Sequence, residues 1–530
     1  MQRLQALFES RAVRTLLLTV GAAVTALAVC FPTVGVLEWV SLVPPALVLF
    51  AAAGREKFSF RRSYLAGLGF FMVYYAIIFH WFFYMYPLEF LELSAGAAAV
   101  VVMVACFGLA FLQSLVSAFI FPLFFVAARG RLVKKCPILA PFLAAALWCI
   151  SEWCLTLTWA GVPWSRLALG QMEMRAAVQT ASLFGSYFVT FLIVAVNFLT
   201  AYAVYYHRRL AGTVAMVLFS ANLLAGGILL AADETEGEPL RVAAVQGNVS
   251  SEDKWNDDKF MASLEIYTDY TIQAAREGAM VVVWPESVIP YDIGEMPAVD
   301  SYLRKLSSST GTHLLVGGFR EVDGLNYNAV YAYAPDGTLN ETYYFKRHLV
   351  PFGEFLPMES LIRAVIPPLA ELNAFDNVLA AGTDSNIIKT DVGNIGGLIC
   401  FDSIYEELTR DSVRDGAQLI ALSTNDSWFS DSAALHMHNR QAALRAIESG
   451  RYIVRSANTG ISSIITPKGE ILDSVGALEE GIAVADVYLR NGSTLYMRIG
   501  NLLIWLCIAF WLSALSYDVT VWVIEKKKVR

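Results

Sequence analysis

The run Gly396-Gly397-Leu398-Ile399-Cys400-Phe401-Asp402 carries the reading of this chain. Two glycines and two aliphatic residues make a short strand of the doubly buried kind found in parallel sheets. The stretch from Ile404 to Arg414 that follows has helical spacing. The thiol of Cys400 is therefore expected at a strand-to-helix turn, where open α/β sheets place reactive groups. The positive end of a helix dipole there should lower the thiol pKa and favour thiolate. The run Val281-Val282-Val283-Trp284-Pro285-Glu286-Ser287 repeats the device, an apolar strand that stops at a proline and delivers a carboxylate just past its end. Between them, Tyr344-Phe345-Lys346 puts an ammonium at a third strand end, ahead of Pro351-Phe352-Gly353-Glu354.

Outward from these runs, residues 241–490 alternate short β-rich segments with amphipathic stretches, the pattern of a layered α/β domain. Strands are predicted at Arg241–Asn248, Ala279–Trp284, His313–Phe319, Asn328–Ala334, Thr342–Phe345, Ile395–Cys400, Gln418–Ser423, Tyr452–Ala457 and Ser462–Thr466. Helices are predicted at Asp258–Arg276, Ala298–Ser309, Ile404–Arg414 and Ala434–Ser449.

The rest of the chain is of a different kind. Of 530 residues 56% are hydrophobic, too many for a wholly soluble fold, and they concentrate in residues 12–232 and 499–524. The twenty-residue bilayer rule predicts eight spans, near 14–35, 37–54, 63–86, 95–127, 137–157, 175–206, 210–232 and 499–523. The expected organisation is a seven-span bundle over residues 1–232, an exported domain over 233–496, and an eighth span with a basic tail over 497–530. Basic clusters fall on one side: Arg3, Arg11 and Arg14; Arg55, Lys57, Arg61 and Arg62; Arg129, Arg131, Lys134 and Lys135; His207, Arg208 and Arg209; Lys526, Lys527, Lys528 and Arg530. Glu89 and Glu92, with Asp233, Glu234, Glu236 and Glu238, fall on the other. The positive-inside rule then places both termini in the cytoplasm and the large domain outside. The first apolar run is too long for a signal-peptide h-region, and Val29 before Cys30 is too large for a lipoprotein cleavage site. The net charge of −8 leaves no basic field for nucleic acid. His80 and Glu152 are the evident ionisable residues at mid-membrane and have no obvious opposite partner, so the bundle reads as a lipid-access platform rather than a transporter.

Cys30, Cys106, Cys136, Cys149, Cys154 and Cys507 lie in or beside predicted spans, leaving Cys400 alone in the exported domain. An unpaired thiol in an oxidising compartment is a liability unless buried or used. Taken singly, Cys400 reads as a small buried hydrophobe, Glu286 as a loop carboxylate and Lys346 as a sheet-edge charge. Only their order at three strand ends, taken with the resemblance described below, weighs against that reading. His313, His348, His436 and His438 offer another base for the thiol, although His436 and His438 lack a third nearby ligand for a metal. Neither a metal nor a cofactor is expected.

Glu, Lys and Cys in this order resemble the nitrilase superfamily, whose members carry such a triad on a four-layer α-β-β-α sandwich. The resemblance continues through Asn425-Asp426-Ser427-Trp428-Phe429, Arg445-Ala446-Ile447-Glu448 and Arg455-Ser456-Ala457-Asn458-Thr459-Gly460. With the membrane part included, the chain is similar to the apolipoprotein N-acyltransferase family. Gln246-Gly247-Asn248, Lys254-Trp255, Gly161-Val162-Pro163-Trp164 and Asn197 carry that likeness, as does the layout of seven spans, a domain and an eighth span.

The resemblance implies a bacterial inner-membrane enzyme that moves a fatty acyl group from a phospholipid, through a Cys400 thioester, to the amine of a diacylglyceryl-cysteine on an apolipoprotein. Cys400 would be the nucleophile, Glu286 the general acid/base, Lys346 the oxyanion partner, Glu354 the orienter of Lys346 and Trp255 a substrate contact. Phe401 and Asp402 would support the nucleophile. The family usually has a glutamate where this chain has Asp402, and an arginine where it has Cys154. The alternative is a membrane-tethered amidohydrolase with water as acceptor. The apolar stretch Leu361–Leu369, punctuated by Pro367 and Pro368, reads as a loop that could close over the site.

Overall fold

A computed structural model describes residues 8, 10–54, 58–88, 93–232, 237–254, 256–365 and 379–529. Trp255, Glu89, Glu92, Asp233, Glu234, Glu236 and residues 366–369 of the apolar stretch lie outside them. Leu361–Val365, read above as loop, instead complete the helix Glu359–Val365. The chain divides into two compact units, one of Met1–Phe83, Val101–Ala232 and Ile499–Arg530, the other of Tyr84–Val100 and Asp233–Arg498.

Among the described residues six helical stretches are long and apolar enough to cross a membrane: Arg11–Cys30, Pro32–Ala53, Ala95–Arg129, Ser186–Tyr206, Arg209–Ala231 and Leu502–Lys528. The span expected over 137–157 is the shorter helix Leu139–Cys154, about 24 Å at 1.5 Å per residue. That over 63–86 is helix Phe60–Ile78 followed by a 3-10 turn from His80 to Met85. The expected span 175–206 is broken. Two single turns, Arg175–Val178 and Ala181–Phe184, precede Gly185 at φ +80°, and the long helix starts at Ser186. Only glycine takes that backbone without strain, so the chain re-aims there.

Two buried carboxylates in the first unit meet hydrogen-bond donors, as a low-dielectric interior favours. Glu152 accepts from Trp148 Nε1 (3.3 Å), Leu167 N (3.1 Å) and Thr190 Oγ1 (2.9 Å), and feels the charge of Arg166. The expectation that Glu152 has no opposite partner is corrected: Arg166 comes from the loop after the Gly161-Val162-Pro163-Trp164 turn, a contact that spacing does not reveal. Glu38, not singled out from sequence, is also buried and accepts from Gln171 Nε2 at 2.6 Å.

The second unit is a sandwich of two six-stranded sheets. Its strands are β1 (Pro239–Gln246), β2 (Val281–Val283), β3 (His313–Val322), β4 (Leu325–Tyr333), β5 (Tyr344–Phe345), β6 (Ile388–Thr390), β7 (Gly393–Ile399), β8 (Leu419–Thr424), β9 (Ile453–Ala457), β10 (Ser462–Ile465), β11 (Ile471–Val475) and β12 (Gly481–Tyr488). The orders are β12-β1-β2-β3-β4-β5 and β11-β10-β9-β8-β7-β6. In each sheet three central strands run parallel, β1-β2-β3 and β7-β8-β9, with antiparallel strands outside.

Strand alternation explains the layers. Val242, Ala244, Val281 and Val283 point between the sheets, where they meet Ile395, Ile399, Leu419, Ala421 and Val454. Their neighbours Ala243, Val245 and Val282 face the other way, toward Leu264 and Tyr267 of helix Asp257–Arg276 and Leu303 of helix Pro297–Thr310. Helices Glu406–Arg414 and Ala433–Ser449 cover the second sheet. All nine predicted strands are present. β6, β11 and β12 are additional: β6 has three residues, and β11 is exposed along most of its length.

Candidate active site

The carboxyl ends of the central parallel strands from both sheets converge. Past β2, buried Trp284 donates its indole N–H to Thr271 Oγ1 (2.8 Å), and its carbonyl accepts from Ser423 Oγ of β8 (2.9 Å), which ties the two sheets together at this point. The chain then turns at Ser287, φ +48°. Gly317 of β3 makes room: a Cβ there would meet the Pro285 carbonyl oxygen at 2.2 Å. This holds Glu286 almost fully buried. Its Oε1 accepts from Asn328 Nδ2 (2.7 Å) and Lys346 Nζ (2.9 Å), and its Oε2 accepts from the Asn425 amide (2.9 Å).

Lys346, 1% exposed, follows β5 and keeps the ladder through its own amide to the Asn328 carbonyl at 2.9 Å. Its ammonium also donates to Glu354 Oε1 at 2.8 Å, and Glu354 Oε2 accepts from the Val350 amide at 2.7 Å. One lysine thus serves two carboxylates. Burial works against its charge, but Glu286 and Glu354 outweigh burial and hold its pKa well above the ordinary lysine value. Burial likewise pushes Glu286 up, and Lys346, Lys254 and Asn328 together bring it below the usual carboxylate value. Glu354, where burial wins over Lys346, is shifted up.

Cys400 ends β7 with φ +49°, a left-handed conformation costly for a residue with a Cβ. Asp402 fixes this turn. Its Oδ2 accepts from the Ile399 amide (3.0 Å) and Tyr344 Oη (2.8 Å), and its Oδ1 from the amides of Arg347 (3.2 Å) and His348 (2.8 Å). One buried carboxylate therefore joins the cysteine turn to the segment carrying Lys346. The shorter acid at this position satisfies all four donors.

The thiol lies in the field of both Glu286 and Lys346, which shift it in opposite directions. Burial and the Glu286 carboxylate win over Lys346, so the thiol is pushed above its ordinary value. The expectation of a helix-lowered pKa is thereby corrected. Only a five-residue 3-10 turn, Cys400–Ile404, follows the sulfur directly, and helix Glu406–Arg414 begins beyond it. The thiol is thus held above its ordinary value beside a carboxylate held below its own.

Residues 241–494 match the carbon-nitrogen hydrolase family, and residues 21–199 match the apolipoprotein N-acyltransferase N-terminal domain. An apolipoprotein N-acyltransferase from Gloeobacter violaceus is 32% identical over 494 residues, covering 93% of this chain and 91% of its own. One from Geobacter metallireducens is 30% identical over 506 residues, covering 91% of each chain. The chain belongs to the apolipoprotein N-acyltransferase family. It is a membrane protein and an acyltransferase of nitrilase fold, and its carbon-nitrogen hydrolase segment takes in β2 to β12 and nearly all of β1.

In this acyltransferase the structure brings Glu286, Lys346, Glu354 and Cys400 together and packs the Phe401 ring 5.5 Å from Tyr405. It turns His348 away: that imidazole stacks on Tyr405 (3.9 Å) and faces Glu407 (3.4 Å). His313 pairs with Asp391. His438, in contrast, arrives beside Cys400, with a ring nitrogen, an Asp426 carboxylate oxygen and Cys400 Sγ all within 4.8 Å of one another. The sequence reading missed this because Asp426 is the third partner and comes from a different element. As a cation site the trio is compromised, since Asp426 already accepts from the Arg455 guanidinium at 2.7 Å.

Lys254 was also missed as a site residue. It is buried, donates to the Glu286 carbonyl at 3.1 Å and feels the charge of Cys400. Burial pulls its pKa down to about 8, against the Glu286 and Cys400 charges.

Proposed function

We propose that this acyltransferase moves a fatty acyl group from a phospholipid to the N-terminal amine of a diacylglyceryl-cysteine on an apolipoprotein, in two steps through a thioester on Cys400. Glu286 takes the thiol proton as the sulfur attacks the ester carbonyl. The oxyanion that forms is stabilised by the Lys346 ammonium. When the carbon–oxygen bond breaks, Glu286 returns the proton to the departing lysophospholipid hydroxyl. The incoming amine then adds to the thioester and gives a proton to Glu286, and the sulfur leaves as thiol with that proton. Glu354 keeps Lys346 charged and oriented throughout, Phe401 and Asp402 hold the cysteine turn, and Trp255 contacts substrate. No cofactor enters either step.

The observation that carries this reading is the buried lysine shared by Glu286 and Glu354 at 2.9 and 2.8 Å, with the thiol in its field. We place the protein in a bacterial inner membrane, with seven spans in residues 1–232, the catalytic domain of residues 233–496 in the periplasm, and an eighth span in 497–530. Both termini are cytoplasmic on this reading, which rests on the one-sided basic clusters. Purified full-length protein given phospholipid and a diacylglyceryl lipopeptide should yield N-acylated lipopeptide and lysophospholipid. Free fatty acid as the sole product would replace transfer with hydrolysis.

A further inference from the structure

A second buried ionic group flanks Cys400, and the chemistry above leaves it without a task. His438 from helix Ala433–Ser449, Asp426 from the turn after β8, and Arg455 from β9 are 1%, 0% and 0% exposed. Asp426 Oδ1 lies 2.8 Å from His438 Nδ1 and accepts from Thr424 Oγ1 at 3.0 Å, while its Oδ2 accepts from Arg455 Nη2 at 2.7 Å. Arg455 also donates to the Ile461 carbonyl. The imidazole is thus gripped on one edge by groups that are themselves fixed.

Its other edge meets the nucleophile. His438 Nε2 lies 3.2 Å from the Cys400 carbonyl oxygen and 3.0 Å from Ser403 Oγ, and Ser403 Oγ donates to the same carbonyl at 2.8 Å. With hydrogen on both ring nitrogens, Nδ1 donates to Asp426 and Nε2 is a second donor to the Cys400 carbonyl oxygen. The left-handed backbone of Cys400 is strained and persists only where its surroundings over-determine it. Asp402 secures the amide on one side of the turn; the carbonyl on the other side needs its own anchor.

We propose that His438, held by Asp426 and Arg455, is a positioning residue for acyl transfer that fixes the Cys400 carbonyl and so aims the thiol at the ester. The inference rests on Cys400 being the nucleophile. The test uses full-length enzyme in detergent, with two readouts: the rate of iodoacetamide alkylation localised to Cys400 by peptide mass spectrometry, and kcat and KM for phospholipid. Three variants separate the roles. The amide nitrogen of His438→Gln can occupy the place of Nε2, that of His438→Asn the place of Nδ1, and His438→Ala has neither.

Expected is a fall of about 10- to 100-fold in kcat and in Cys400 alkylation for His438→Ala and His438→Asn, with KM unchanged and most activity kept by His438→Gln. Wild-type alkylation and kcat in His438→Ala would overturn the proposal. So would an equal loss in all three variants, which would make the ring a packing element and not a donor. Transfer surviving in Cys400→Ala would instead sink the nucleophile reading, and the alkylation data would stand apart from it.

Discussion

The two sheets of the catalytic unit supply one site with different things. The first sheet brings two carboxylates, an ammonium and an amide that bonds to them: Glu286 after β2, Asn328 in β4, and Lys346 after β5, with Glu354 just beyond. The second brings a sulfur and the means to hold it still: Cys400 after β7, Asn425 and Asp426 after β8, and Arg455 in β9. A proton shuttle must tolerate two protonation states, whereas a nucleophile must keep one geometry. On the proposed mechanism each requirement falls to its own sheet, and Asp402 and the Ser423–Trp284 bond join the two.

The division is most exposed to changes on the charge side. Glu286→Gln should lower acyl transfer by about 10²–10⁴-fold while leaving Cys400 in place. Because the Glu286 carboxylate helps push the thiol up, its neutralisation shifts the thiol down again. Alkylation of Cys400 near neutral pH should then speed up as transfer collapses. A parallel fall in both would mean that the two sheets do not have separate tasks.

Lys346→Met should cost about 10²–10³-fold in rate. It also leaves two buried carboxylates facing each other, a loss of about 3–5 kcal/mol. The pH dependence has a definite sign. Glu286 sits below its ordinary value of 4.5 in the folded protein, so its stabilising contribution is complete above that value and is lost as pH falls through the lower folded one. The stability gap between wild type and Lys346→Met, measured by denaturation midpoints, should narrow as the solution is acidified.

Lys254 has the opposite sense. Its folded value of about 8 lies below the ordinary 10.5, so below pH 8 the folded protein bears the cost of a buried ammonium. Lys254→Met should raise the midpoint at pH 7, and the gain should fade between pH 8 and 10.5. A gap that does not change with pH would place that ammonium in water.

Asp402→Asn exchanges an acceptor for a donor among four donors, at a cost of about 1–3 kcal/mol. This change on the joint between the sheets should loosen the cysteine turn and lower kcat less than either charge-side substitution. Asp402→Glu adds a methylene to a filled site and should be tolerated no better.

Much of this was legible in the sequence because it is local. An apolar run that ends in Pro285-Glu286, or in Cys400-Phe401-Asp402, announces a strand end whatever surrounds it, and the period-2 and period-3.6 patterns gave nine strands and four helices. What escaped depends on tertiary meetings. His438 reaches Cys400 from 38 residues away, and Lys254 turns inward although it stands in a polar stretch. Glu152 finds Arg166 only after the chain has folded back. β6, β11 and β12 are all edge strands: β6 is three residues long, β11 is exposed along most of its length, and β12 was overlooked despite its apolar run, while the break at Gly185 hides inside continuous hydrophobicity.

The central claim is that the acyl group rests on the sulfur of Cys400. Wild-type protein incubated with phospholipid in the absence of an amine acceptor, then measured by intact-mass spectrometry, should gain one acyl group that maps to Cys400 and is released by hydroxylamine. Cys400→Ala should gain none. An enzyme that transfers with no such adduct, or that carries it on another residue, would contradict the account.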